Sequence, residues 1–142
     1  MDMYNLATSG MAGPIPSQPT SSTSVLFCIK SPTPSVSSNG TAANTGIVWA
    51  IEKRNSANSG NAPNCGGTAM KAALRAFDAT DVSRPELYDS TGLGQQHQLG
   101  GAVNFSTPIV FKGRVYIATT TTTNVGEVDV FGLCGQPSQC LQ

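Results

Sequence analysis

Residues 46–51 read Gly-Ile-Val-Trp-Ala-Ile, a glycine followed by five consecutive apolar side chains. Successive side chains of a strand point to opposite faces, so a strand of this composition is buried on both faces. The pair Asn39-Gly40 precedes it along the chain, and such a pair supplies the positive φ that a tight turn requires. The stretch therefore predicts a doubly buried strand that follows a turn.

A similar order of short segments recurs elsewhere in the chain, and we name the segments A, B, C and D. Segment A lies at residues 33–36 and 107–111, B at 46–51 and 114–118, C at 3–8, 74–80 and 128–133, and D at 86–90. With a further D expected after the first C, the chain runs C, D, then A, B, C, D, then A, B, C. This is an internal repeat.

Short antiparallel strands that recur at a period of several tens of residues are typical of propeller blades. We predict an all-β fold of antiparallel four-stranded propeller-type blades, an incomplete propeller of about two blades. One partial domain then spans residues 1–142, with the end of a blade at 1–27, a complete blade at 32–90, a last blade lacking its final strand at 105–133, and a tail at 134–142.

One local pattern favours a different structure. Met70, Ala73, Leu74 and Phe77 have the 3.6-residue spacing of an amphipathic helix. Because residues 74–80 have a counterpart in each copy of the repeat, a strand is the preferred prediction. A helical turn over residues 67–72 is the alternative.

The composition disfavours helices and argues against several partners. Gly 15 and Pro 9 favour turns over helix interiors. Lys plus Arg total 8 and Asp plus Glu total 8, so the zero net charge gives no long-range attraction to nucleic acid or anionic lipid. No stretch approaches the roughly 18 apolar residues of a membrane span, and residues 1–10 lack the features of a signal peptide. We therefore expect no nucleic-acid or membrane partner.

Residues 46–51, 74–80, 86–88, 105–110 and 113–117 together resemble the closing blades of bacterial proteins with pyrrolo-quinoline-quinone-like propeller repeats. In that family an Ala, an Asp two positions later, a turn and a Trp mark the step from C to D. Ala76 and Asp78 match the first two, and Tyr88 stands where the Trp is usual. The resemblance covers residues 3–133. It implies that the blade core contains an aromatic residue from each main strand: Trp49, Phe77, Tyr88, Tyr116 and Phe131.

The resemblance specifies a fold more closely than an activity. Quinoprotein dehydrogenases similar to this family hold the quinone over a calcium ion with a Glu, an Asn or Asp, a catalytic Asp, a stacking Trp and often a vicinal Cys-Cys disulfide, and none of these can be matched here residue by residue. We therefore expect a non-catalytic exported segment that serves as a structural or ligand-binding scaffold. One alternative is the C-terminal part of a dehydrogenase that binds pyrroloquinoline quinone and calcium through other blades. Another is a carbohydrate-binding module that uses Tyr88 and Tyr116.

Several polar residues have both a functional and a structural interpretation. Asp78, Asp81 and Asp89 are a possible cation site, but Asp beside a turn commonly bonds its own backbone, which is the preferred interpretation. His97, the single histidine, lies in the glycine-rich stretch 92–101 without a Ser or Cys motif to pair with, so we interpret it as a surface loop residue. Gly92, Gly94, Gly100 and Gly101 lack the Lys-Ser/Thr of a phosphate-binding loop.

Two further stretches are interpreted as strand ends. Residues 52–54 (Glu-Lys-Arg) are predicted to be solvated as they leave strand B, and residues 119–123, all threonine, to be its frayed outer part. A threonine ladder that binds ice or sugar is the alternative for the second stretch. Residues 55–67 and 91–101 are long polar loops, which suits them to be contact surfaces.

The four cysteines are predicted to form two disulfides. In an up-and-down meander the D-to-A and B-to-C connections share one rim, which places Cys28 near Cys65, while Cys134 and Cys140 follow strand C on the other rim. Disulfides imply export to the periplasm, the cell surface or the medium, with any signal belonging to a longer parent. The open strand edges predict partners that are other copies of the chain or missing blades, with the N-terminal C and D hairpin completing the sheet of the next copy.

Overall fold

The computed structural model describes residues 1–4, 17–27, 33–55, 70–92, 98–121 and 123–132. These residues contain strands and turns but no helix, and so no helix that could span a membrane. The all-β prediction is confirmed for them. The strands are β1 (Asp2–Met3), β2 (Ser21–Ser22), β3 (Ser35–Ser37), β4 (Ile47–Asn55), β5 (Met70–Asp78), β6 (Tyr88–Asp89), β7 (Gly101–Ala102), β8 (Ile109–Phe111), β9 (Arg114–Thr120) and β10 (Gly126–Gly132).

Two antiparallel meanders account for most of the strands. The first meander pairs β3 with β4, β4 with β5, and β5 with β6. The second pairs β8 with β9 and β9 with β10. Glycines with positive φ lie in the turns after β3 and β8, with φ of 56° at Gly40 and 72° at Gly113. The strands of the two meanders thus overlap the segments A to D predicted for residues 33–133, whereas residues 5–8 of the first C segment lie outside the described residues.

The two meanders are joined into one sheet, whereas the sequence predicts separate blades. The two-residue strand β7 pairs with β5 through Lys71 and with β9 through Thr119 and Thr120. Eight strands therefore form a single sheet, and within the described ranges this sheet is open, with β3 and β10 at its ends. Gly100 and Gly101 permit the junction because they have no side chain to hold the strands apart.

The joined sheet curls over so that one of its sides encloses a core, and we call this side the inner side. Ile51 and Leu74 of the first meander share a buried cluster with Val115 and Ile117 of the second. Tyr88 contacts Phe131 edge to face, with ring centroids 6.0 Å apart, although the two residues lie on different meanders. The core is therefore built from both meanders.

The other side of the sheet, the outer side, is covered at the first meander by the N-terminal residues. Phe27 packs edge to face on Phe77, with centroids 6.3 Å apart. The hydroxyl of Ser21, in the small β1–β2 sheet, accepts a hydrogen bond from the Val82 amide at 3.2 Å. With both sides covered, the six residues from Ala72 to Phe77 are all buried. The apolar residues at helical spacing from Met70 to Phe77 therefore belong to a strand that is buried on both faces.

Candidate functional site

Arg75 is the centre of a buried ion-pair cluster on the outer side of the first meander. Its Nη2 lies 2.6 Å from Oε2 of Glu52, and its Nη1 lies 2.5 Å from Oε2 of Glu86 and 3.1 Å from Oδ2 of Asp89. Arg75 pairs directly with Asp89 across β5 and β6, while Glu52 lies on the same side of neighbouring β4. Three carboxylates from separate segments therefore converge on one guanidinium.

The electrostatics of this cluster favour the charged forms of Arg75 and Asp89. Burial by itself lowers the pKa of Arg75, but the hydrogen bonds and charges of Glu86 and Glu52 outweigh burial and raise it. Burial raises the pKa of the Asp89 carboxyl, but hydrogen bonds from Thr91 and the positive charges of Arg75 and Arg54 bring it below its ordinary value of 3.8. The carboxylates are thus occupied as ion-pair partners, which suits them to locking strands together.

The prediction that residues 52–54 form a solvated strand end is wrong. Strand β4 continues to Asn55, and Glu52 and Lys53 are buried within it. Glu52 faces the outer side and binds Arg75, whereas Lys53 faces the inner side and donates from Nζ to Oδ1 of Asn104. The sequence signal that could have revealed this pairing is Arg75 itself, a lone arginine among the apolar residues of the stretch 72–77.

The turn between β5 and β6 uses its aspartates to hold its own backbone. Oδ1 of Asp78 accepts hydrogen bonds from the amide and hydroxyl of Thr80, at 2.8 and 2.6 Å. Asp81 does the same with Ser83, at 3.0 and 2.6 Å. These bonds from Thr80 and Ser83 are the main cause of the lowered pKa of each carboxyl. The structural interpretation of Asp78 and Asp81 is therefore confirmed, and the described residues contain no group of three or more potential metal ligands.

The interpretation of Thr119 as a frayed strand end is also wrong. Thr119 is buried within β9, and its hydroxyl donates to Oδ2 of Asp129 on β10. Thr120 belongs to the same strand, so the strand continues to the junction with β7. An isolated run of threonines does not reveal which members face the core, because that depends on the register with neighbouring strands.

The aromatic residues predicted for the core occupy different environments. Trp49, Tyr88 and Phe131 are half-buried and pack against the inner core, and Trp49 Nε1 donates to Oγ of Ser37 at 2.9 Å. Phe77 is buried on the outer side under Phe27. Tyr116 is half-buried on the outer side of the second meander. The cysteines, His97, Gly94 and nearly all of residues 55–67 lie outside the described residues.

The outer side of the second meander carries an exposed apolar surface, which we call the outer face. Its largest exposures are 62% at Ile109, 58% at Phe111, 64% at Val128 and 51% at Val130. The pairing of β8, β9 and β10 brings these side chains onto one side of the sheet. The outer face comprises Ile109, Phe111, Tyr116, Ala118, Val128 and Val130. Sequence reasoning missed it, although the alternation Glu127-Val128-Asp129-Val130 signals an apolar side on this strand.

Comparison with protein-family models, with curated proteins and with solved structures finds no match to this chain. The resemblance to pyrrolo-quinoline-quinone-like repeats therefore stays a prediction from the sequence.

Proposed function

We propose that this chain is a non-catalytic, exported scaffold of propeller type that works by presenting sheet surfaces to a partner. The observation that carries the proposal is the outer face, where four large apolar side chains each expose more than half of their surface. Contiguous exposed apolar surface on a soluble protein marks an interaction site. The strands β3 and β10, at the ends of the sheet, add edges at which a further strand can pair.

The repeated register supports the propeller-type organisation. In the first meander Trp49 pairs with Ser35 on one side and Ala76 on the other. In the second, Tyr116 pairs with Ile109 and Val130 in the same manner. Two units of equal strand order and equal register are what a repeat of sheet units requires.

The state of the charged side chains supports a scaffold rather than an enzyme. Among the described residues, Arg75 binds Glu52, Glu86 and Asp89 together, so these charges are paired with one another. Lys53 is bonded to Asn104 and Asp129 to Thr119. A general acid or base must be able to reach a substrate proton, whereas these groups bond to one another within the sheet.

Two measurements on the purified chain test the proposal. An environment-sensitive apolar dye should bind in dilute solution, and the V128T/V130T variant should bind less of it, while the matched variant V36T, at an exposed valine of β3, should bind as much as the wild type. Equal dye binding by all three proteins would remove the outer face as an accessible site.

Separately, pyrroloquinoline quinone and calcium should not support reduction of an artificial dye by an alcohol or aldose. Turnover there would favour the dehydrogenase instead.

A further inference from the structure

We propose that the partner of the outer face is the same face of a second copy of this chain, in a two-fold symmetric dimer. The proposal deepens the scaffold function above and rests on it. Three features of the molecule favour a second copy over another partner.

The first feature is that the equivalent face of the first meander is already covered. Trp49 of β4 and Tyr116 of β9 occupy equivalent positions in the strand pairing of the two meanders. Leu74 of β5 and Val128 of β10 are equivalent in the same way. Leu74 is fully buried in the core between the meanders, whereas Val128 is 64% exposed. The face of the first meander that carries Leu74 is therefore packed against the second meander, whereas the equivalent face that carries Val128 is open.

The second feature is the distribution of the remaining apolar surface. The inner side of the sheet is filled by the shared core, and the outer side of the first meander lies under residues such as Phe27. The outer face continues that same side of the sheet beyond the covered part. Among the described residues it holds four of the ten large exposed apolar side chains, and the pairing of β8, β9 and β10 gathers these four on one side of the sheet. A second copy offers the same gathered surface, and contact between the two faces makes the dimer two-fold symmetric.

The third feature is charge. Glu127 and Asp129 of β10 face the inner side, so the outer face has no carboxylate from its strands. Its cations are Arg114 and Lys112, which lie at one end, with Lys112 Nζ 5.3 Å from the centroid of the Phe111 ring. A strongly basic partner finds no counter-charge there, and an acidic partner finds counter-charges only at that end. The chain has a formal net charge of zero at pH 7, so two copies do not repel each other at long range.

The area of the outer face determines how tightly we expect the dimer to associate. Three strands of up to seven residues cover roughly 24 Å by 14 Å at ordinary strand spacing. This is smaller than the about 800 Å² that each partner buries in a standard interface. The dimer should therefore be weak and should form only as the protein concentration rises.

Sedimentation velocity over a wide range of protein concentrations tests the proposal. The wild type should pass from monomer to dimer and stop there. V128K/V130K should stay monomeric, the milder V128T/V130T should dimerise at least about tenfold more weakly, about 1.4 kcal/mol, and V36K should match the wild type. Circular dichroism verifies that every variant is folded.

A wild type that stays monomeric throughout would overturn the proposal, as would growth beyond a dimer or dimerisation unaffected by the changes at Val128 and Val130. These results are separable from failure of the scaffold function. A monomer whose outer face still binds the apolar dye leaves the scaffold in place with a different partner, whereas quinone-dependent turnover removes the scaffold function itself.

Discussion

Gly101 pairs with Thr120 so closely that a Cβ atom on the glycine would collide with the threonine hydroxyl. Thr120 has a second glycine partner, Gly126, on its other side, and a Cβ there would meet nothing within 4 Å. The two glycines thus flank one residue of β9, but only Gly101 is required by close packing. Because β7 joins the two meanders, the single sheet depends on this close contact between Gly101 and Thr120.

We therefore expect Gly101→Ala to destabilise the chain by about 1–3 kcal/mol, as overpacking does. Gly126→Ala is the matched control and should change the free energy of unfolding by less than about 1 kcal/mol. Urea denaturation followed by the fluorescence of Trp49 measures both. Equal effects of the two substitutions would contradict the close contact at Gly101.

The Arg75 cluster predicts an asymmetry between two arginines. Arg75→Met should cost about 2–4 kcal/mol, because it leaves the buried Glu52 with only the longer 3.8 Å contact to Arg54 and removes the link to Glu86 and Asp89. Arg84 also pairs with carboxylates, but its side chain is 60% exposed, so Arg84→Met should cost less than about 1 kcal/mol. Denaturant unfolding compares them. If Arg84→Met lowered the free energy of unfolding as much as Arg75→Met, burial would not determine how much these ion pairs stabilise the fold.

The lowered pKa of Asp89 predicts a loss of stability in acid. A carboxyl whose pKa is lower in the folded chain stabilises it above the ordinary pKa of 3.8, and this contribution is lost as the pH falls through the folded value. The free energy of unfolding should therefore decline below about pH 4. Because Asp78 and Asp81 also have lowered pKa values and contribute to the decline, Asp89→Asn should flatten it in part, and Thr91→Val, which removes the hydroxyl donor at 2.7 Å, should flatten it less. A decline as steep in Asp89→Asn as in the wild type would assign it to other groups.

Much of the fold could be predicted from local sequence, because its strands carry local signals. The apolar run at residues 47–51 and the turn glycines Gly40 and Gly113 locate β4 and the turns after β3 and β8 without knowledge of what covers them. Leu74 to Phe77 could be assigned to a strand only by comparison with the other copies of the segment. In these stretches local preference and tertiary packing agree.

The features that local sequence did not predict depend on residues distant along the chain. The local sequence predicts a solvated strand end at Glu52 because its partner Arg75 lies 23 positions away. The joining of the meanders depends on how Gly101 meets Thr120 across two strands. Which apolar faces are covered depends on the placement of whole meanders. Thus Val128 and Leu74, equivalent in register, differ completely in exposure.

The cysteine pairing predicted from the sequence stays a prediction, because the cysteines lie outside the described residues. Because β3 and β4 are antiparallel, the chain approaches β3 and leaves β4 at the same end of the sheet. Cys28 precedes β3 along the chain and Cys65 follows β4, which is the order on which the predicted Cys28–Cys65 pair rests. We expect that pair and Cys134–Cys140 in exported protein.

Alkylation before and after reduction, followed by mass spectrometry of the proteolytic peptides, should find no free thiol before reduction and these two linked pairs. Reduction should lower the free energy of unfolding by a few kcal/mol, mostly through the Cys28–Cys65 link. That link closes the longer loop and so restricts the unfolded chain more. The variant Cys134→Ser/Cys140→Ser should keep most of that stability, whereas Cys28→Ser/Cys65→Ser should lose it. Four free thiols in protein recovered from an oxidising compartment would contradict both the pairing and the argument for export that depends on it.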